Sequence, residues 1–278
     1  MERLPPIYVA ELIRPLLAEL ITLLRSLNAD DWDRPTVAGA WRVRDVAAHV
    51  LDTTLRKVAA YRDGHLLAPD APITSDADLA HFVNGLNAVG VSYSARLSAR
   101  EITDLLEIAA GWAADLVEGL DPHARALWAV SWAGETGSEN WMDTGRDYTE
   151  WWHHQAQIRD AVGAPRLLEP RWFLPLMEIS VRVLPRVYAP VDAPPQTAVT
   201  LAVEGETNAE WSVVKGDTAW QVFSGAPANP DARIRIDADD AWRLFYNALS
   251  KEQAESRAKI EGDPRIAAPL IRARAVIL

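Results

Sequence analysis

The sequence predicts a helical domain followed by a small α+β domain, an α plus α+β architecture in one chain of 278 residues. Two observations carry this. Before residue 165, long stretches repeat apolar residues near the helical period of about 3.6. Beyond it, Pro165, Pro170, Pro175, Pro185, Pro190, Pro194 and Pro195 punctuate the chain, and short β-branched or alternating runs follow. The predicted domains are 1–165 and 166–278, with the junction inside 164–196.

The elements follow in order. Residues 5–27 read as an amphipathic helix, with Ile7, Leu12, Leu16, Leu20, Leu23, Leu24 and Leu27 on one side. Residues 28–42 hold Asn28, Asp30, Asp31, Asp33, Pro35 and Gly39 and read as a loop. A second helix runs from about Val43 to Tyr61 and stops at Asp63-Gly64. Its first turn carries Asp45, which the helix dipole favours, but Arg42 cannot cap it as Ser or Thr would. Residues 64–76 are a loop and 77–97 a helix. Ser98 and Glu101 form a capping-box pattern that opens a helix over 99–119, ended by Asp121-Pro122. Residues 131–140 read as a mobile loop. A last long helix covers 143–162 and ends at Gly163-Ala164-Pro165. Beyond it, 172–188 is helical, Thr197–Val203, Ala209–Val214, Trp220–Ser224 and Arg233–Ile236 are strands, and 238–249 and 264–274 are helices. Lys215-Gly216-Asp217 is the expected hairpin turn.

Hydrophobic residues make up 49% of the chain, enough for a real core rather than disorder. A net charge of -11 argues against nucleic acid or an anionic membrane as the main partner. No apolar stretch is long enough to span a bilayer and the first residues do not make a signal peptide, so a cytoplasmic protein is expected. There is no cysteine. Disulfides, thiolate metal sites and a protein thiol nucleophile are therefore excluded, and any metal must be held by nitrogen and oxygen.

Three residues stand out as candidate ligands. His49 lies in the helix over 43–61. Glu150 and His154, spaced i,i+4 in the helix over 143–162, leave one helical face. Each feature alone has an ordinary reading. A lone helical histidine is most often a hydrogen-bonded core residue, and an i,i+4 Glu/His pair is most often an exposed ion pair. Together, on two long helices of one bundle, they make two imidazoles and a carboxylate that can hold a divalent ion with one position open. His153 points about 100° away from His154 and is assigned to the rim or to packing. His65, His81 and His123 are expected on the solvated surface. Arg233, Arg235 and Arg243 are expected to give a cleft between the domains a positive lining for an acidic substrate. Trp211, Trp220, Phe223 and Trp242 either form the core of the small domain or line an apolar pocket.

The pattern from Trp41 to Val50, with Val43, Asp45 and His49 at their spacings, and Glu150, His154, Ile158 and Arg159 after it, resembles the DinB-like metalloproteins. Within them it most resembles the mycothiol-dependent maleylpyruvate isomerase branch. Asp240-Ala241-Trp242-Arg243-Leu244-Phe245 and Glu261-Gly262-Asp263-Pro264 resemble the sterol-carrier-like domain that follows the bundle there. The resemblance implies a four-helix bundle with a divalent metal held by His49, Glu150 and His154. Zinc is named first, and nickel, iron and manganese also suit nitrogen and oxygen ligands. It implies mycothiol, or another small thiol, as the nucleophile, and an electrophilic small molecule that can be acidic as substrate. In the isomerase the thiolate adds to the double bond of a cis-dioic acid, and rotation and elimination give the trans isomer. Two positions depart from the branch. Gln157 stands where relatives often carry Asp, and Leu244–Leu249 lacks the basic residue expected there, for which Arg243 or Arg257 would have to stand in. The competing expectations are a non-catalytic metal- or lipid-binding protein with a vestigial site, and a bundle in which Glu150 and His154 merely pair.

Overall fold

A computed structural model describes residues 1–277. The chain forms two compact units. Tyr8–Leu127 and Glu139–Arg166 make the helical one. Met1–Ile7, Trp128–Ser138 and Leu167–Val276 make the other.

The helical unit contains α1 (Ala10–Ser26), the single turn α2 (Ala29–Trp32), α3 (Val43–Asp63), α4 (Asp76–Ser94), α5 (Ala99–Glu118) and α6 (Asn140–Val162). Helices α1, α5, α3 and α6 pack in a ring, each against the next, which is a four-helix bundle, and α4 lies against α3. Helix α1 starts at Ala10 rather than residue 5; Pro5 and Pro6 disfavour helical backbone in the residue before each of them. Its buried side is Ile13, Leu16, Leu17, Leu20, Ile21, Leu23 and Leu24. The short turn α2 falls inside the expected loop, capped by Asn28 through Asp30 N and Asp31 N. The start of α3 is capped from within: the Asp45 carboxylate accepts from Arg42 N at 2.9 Å, so Arg42 need not act as a cap. The capping box at α5 is present, with Glu101 N donating to Ser98 Oγ and Ser98 N to Glu101. Helices α3 and α6 end at Gly64 and Gly163, as the turn signals predict.

Helix α6 departs from ordinary amphipathicity. Asn140, Asp143, Thr144, Asp147, Thr149, His153, His154, Gln155, Gln157 and Arg159 are all buried on it. Some find partners within α6, as His153 does at Thr149 O, and others on the neighbouring helices. Trp151 Nε1 donates to Thr54 Oγ1 on α3 at 3.0 Å. Gln155 Nε2 donates to Leu16 O on α1, and Arg159 reaches Glu19 on the same helix. Buried polar groups need such partners.

The other unit is built on a six-stranded sheet of order β1-β4-β3-β2-β5-β6. Its strands are β1 (Glu2–Arg3), β2 (Ala198–Glu204), β3 (Ala209–Lys215), β4 (Trp220–Ser224), β5 (Ala232–Asp237) and β6 (Lys259–Gly262). Only β2 and β5 pair in parallel; the other pairs are antiparallel. Ala198 to Val203 of β2 are all buried, which suits a central strand covered on both faces. In β5, buried Ala232, Ile234 and Ile236 alternate with less buried Arg233 and Arg235. Helices α7 (Pro170–Ser180), α8 (Leu184–Tyr188), α9 (Ala238–Phe245), α10 (Lys251–Arg257) and α11 (Pro264–Ile271) complete this unit. Trp211, Trp220 and Trp242 are buried, the core reading for these aromatics, and Phe223 is half-buried.

Each arginine expected to line a cleft has an acidic partner within this unit. Arg233 is paired with Glu210 across the sheet, and Arg235 with Glu204 and Glu261. Arg243 is paired with Asp239 and lies over the Trp242 ring, and Arg257 is paired with Asp240. An acid matches each charge locally. The segment expected as a mobile loop, 131–140, holds a 3-10 turn at Ser131–Ala133, and its last residue, Asn140, begins α6. Arg186 of α8 donates to Ser131 O, and Val130 N donates to Ser138 Oγ at 2.9 Å.

Candidate metal centre

Helices α3 and α6 pack side by side in the bundle. His49, in the second turn of α3, is 4% exposed, and His154 on α6 is 7% exposed. Their ring centres lie 4.6 Å apart with planes at 75°. Glu150, one turn before His154, is half-buried, and its Oε2 lies 3.4 Å from His154 Nε2. One ligand-type atom from each of His49, Glu150 and His154 can be chosen so that all lie within 4.8 Å of one another. Tetrahedral ligation with bonds of about 2.1 Å separates ligand atoms by roughly 3.4 Å. The Glu150–His154 pair already has that separation.

Protonation suits the same purpose. Burial, and then the neighbouring His154, push the His49 imidazole well below the usual histidine range, so it is neutral. Burial works to raise the Glu150 carboxyl, but its close contact with His154 and the nearby His153 and Arg146 outweigh it, and Glu150 is held well below the usual range. Neutral imidazole and ionised carboxylate are the forms that bind metal. Gln157 Oε1 accepts from His154 Nδ1 at 2.9 Å. That bond fixes the tautomer and leaves the Nε2 lone pair directed at Glu150. His49 Nδ1 is buried with no hydrogen-bond partner among the described residues. Native interiors rarely leave such an atom unsatisfied, and a metal ion would satisfy it. The donor set therefore fits a divalent ion.

His153 takes another role. It is buried, not on a rim; its Nδ1 donates to Thr149 O at 2.8 Å, and its ring packs 4.0 Å from that of His154. Burial, chiefly, lowers its pKa to about 3. The Trp41 ring stands 4.9 Å from His49, a neighbour already present in the motif. His65 and His81 are exposed. His123 is exposed too, but bridges Tyr8 Oη at 3.0 Å and Glu139 at 3.1 Å. The charged residues of α3 and α6 deeper in the bundle, Lys57, Asp143, Arg146 and Asp147, were not among the expected site residues. The signal for them was their i,i+3 and i,i+4 spacing leading up to Glu150.

A four-helix bundle that turns two imidazoles and a carboxylate toward one point is of the kind in which facing helices build metal sites. The chain belongs to the mycothiol maleylpyruvate isomerase N-terminal domain family, whose model matches residues 13–159. Among solved structures, the chain is similar to a histidine-to-alanine mutant of the mycothiol-dependent maleylpyruvate isomerase, with 11% identity, 91% of each chain covered and a TM-score of 0.52. It is also similar to the mycothiol-dependent maleylpyruvate isomerase itself, with 13% identity, 84% of this chain and 86% of that one covered, and a TM-score of 0.50. These likenesses establish the fold: a helical N-terminal region and a C-terminal α+β sheet. A sterol carrier protein 2 like 2 from Aedes aegypti matches 31% of this chain and 83% of its own at 22% identity, with a TM-score of 0.25, and carries no functional argument. No curated protein matches the chain.

Proposed function

We propose that the protein is a metal-dependent enzyme that uses a small thiol, mycothiol in the first instance, as nucleophile toward an electrophilic small molecule. Its reaction is a thiol transfer or a cis–trans isomerisation of the maleylpyruvate kind. The observation that supports this most is the convergence of His49, Glu150 and His154, with His49 Nδ1 buried and unsatisfied.

His49 and His154 would hold the ion through nitrogen, and Glu150 through oxygen. When bound, a divalent ion there supplies the Lewis acidity that keeps a coordinated thiol deprotonated at neutral pH. A chain without cysteine has no thiolate of its own to use. Gln157 orients His154. Trp41 and the neighbouring bundle side chains limit water around His49. The reading includes zinc as the ion, the two domains 1–165 and 166–278, and a cytoplasmic location, where small thiols are kept reduced. No helix among the described residues is long and apolar enough to cross a membrane.

The test is metal analysis of the purified protein together with turnover of a cis-dioic electrophile, with and without added thiol. The proposal expects about one divalent ion per chain, and turnover that needs both ion and thiol. It also expects the melting temperature to rise with zinc. A protein that neither retains nor takes up zinc, nickel, iron or manganese refutes it.

A further inference from the structure

Deeper in the bundle, α3 and α6 share a second cluster. Lys57 lies eight residues after His49 on α3, and Asp147 and Asp143 lie three and seven residues before Glu150 on α6. Lys57 Nζ stands 2.6 Å from Asp143 Oδ2 and 2.7 Å from Asp147 Oδ2. The three side chains are 4%, 1% and 8% exposed. Arg146 Nη2 is 2.7 Å from Oδ1 of each aspartate, closing a set of two cations and two carboxylates. Tyr61, one turn after Lys57, donates its hydroxyl to Asp143 at 2.5 Å and accepts from Leu127 N at 3.0 Å. Burial works to raise the Asp143 carboxyl, yet Arg146 and Lys57 hold it well below the usual range.

Stability alone does not account for this cluster. Removing charges from water is costly, and apolar residues of similar volume in place of a buried ion pair are often neutral or stabilising. An ion pair does differ from apolar contact in direction. Lys57 satisfies both aspartates only when α3 and α6 stand in one register, and a slip by one helical turn moves its partners by about 5.4 Å. Apolar side chains would tolerate neighbouring registers. The same two helices carry His49 and the Glu150–His154 pair, and metal–ligand bonds tolerate deviations of only about 0.2 Å.

We infer that Lys57 is a positioning residue for the metal centre: clamped between Asp143 and Asp147, it locks α6 against α3 in the register that brings His49 to Glu150 and His154. This rests on the metal-centre reading above, and the two fail separately. A wild-type protein that binds none of zinc, nickel, iron or manganese defeats that reading, while the clamp is judged only by differences from the wild type.

The experiment compares the full chain with the charge-balanced variant Lys57→Met/Asp147→Leu, which keeps the Asp143–Arg146 pair. Two readouts are taken: the melting temperature of the metal-free protein, and the zinc Kd by competition with a chromophoric chelator. The clamp predicts a metal-free melting temperature close to wild type and zinc binding weakened at least about tenfold. If that variant does not fold, Lys57→Gln/Asp147→Asn, which keeps volume and polarity but not charge, takes its place, with an expected weakening of at least about threefold. A folded variant of either kind with the wild-type zinc Kd overturns the inference. So does a loss of affinity that merely parallels a loss of metal-free stability.

Discussion

Gln157 gives the sharpest prediction for the metal centre. Its side chain is buried, and its Oε1 is the acceptor for His154 Nδ1 at 2.9 Å. Gln157→Leu removes that acceptor and leaves the space apolar. The imidazole then has two options. It can keep its proton on Nδ1, buried and unpaired, at a cost of about 1–3 kcal/mol. Or it can move the proton to Nε2, the atom that faces Glu150 and would ligate the ion. The first choice would cost stability in both forms; zinc binding must reverse the second, because it needs the Nε2 lone pair, and that choice places the cost on affinity. At about 1.4 kcal/mol per tenfold, zinc binding should weaken roughly 5- to 140-fold. Gln157→Glu should act in the opposite sense, because a carboxylate acceptor strengthens the hydrogen bond and raises ligand basicity. Chelator competition at constant pH and ionic strength measures both. A Leu variant with wild-type affinity, or a Glu variant that binds zinc more weakly, would show that Gln157 does not orient His154.

Three further outcomes are expected. His154→Ala should lose the bound ion while His153→Ala keeps it, since His153 is committed to Thr149 O; equal metal content in the two variants contradicts the assignment. The metal-free protein should lose stability as pH falls below about 6.5. His49 and His153 have folded pKa values below their unfolded ones, so the unfolded chain takes up more protons there, at up to about 1.4 kcal/mol per pH unit for each; denaturant midpoints flat from pH 7 to pH 5 would exclude this. Gly262→Ala should destabilise the sheet unit by more than about 2 kcal/mol, because φ is +84° and a Cβ would stand 2.2 Å from Asp231 O, a backbone atom that cannot rotate away; an unchanged urea midpoint would contradict that packing.

Much of this was legible in the sequence because it rests on period and spacing. The i,i+4 relation of Glu150 and His154 needs only a helix to become a shared face, and the apolar repeat of Val43, Val46, Ala47 and Val50 around His49 supplies the other helix. The Lys57 cluster was not legible as a unit. Charged residues on a helix ordinarily mark its wet side, and Asp143 and Asp147 are dry because Lys57 of α3 and Arg146 pair with them. Strands β1 and β6 escaped for a different reason. At two and four residues they are too short to show alternation, and their pairing is fixed by β4 and β5. The ion pairs of the β5 arginines were not legible, since their partners lie on strands distant in sequence.

The pairing of β1 with β4 also has a consequence for biosynthesis. Once Glu2 and Arg3 are synthesised, their partners Ser224 and Phe223 are added only roughly 220 residues later. At about 5–20 residues per second, that segment waits on the order of 10–40 s for its place in the sheet. The entire helical bundle is synthesised in the interval, so it can close before β1 is docked in the sheet. Contacts of such long sequence separation form late and slowly. Until β1 docks, β4 is a sheet edge left with open hydrogen-bonding groups.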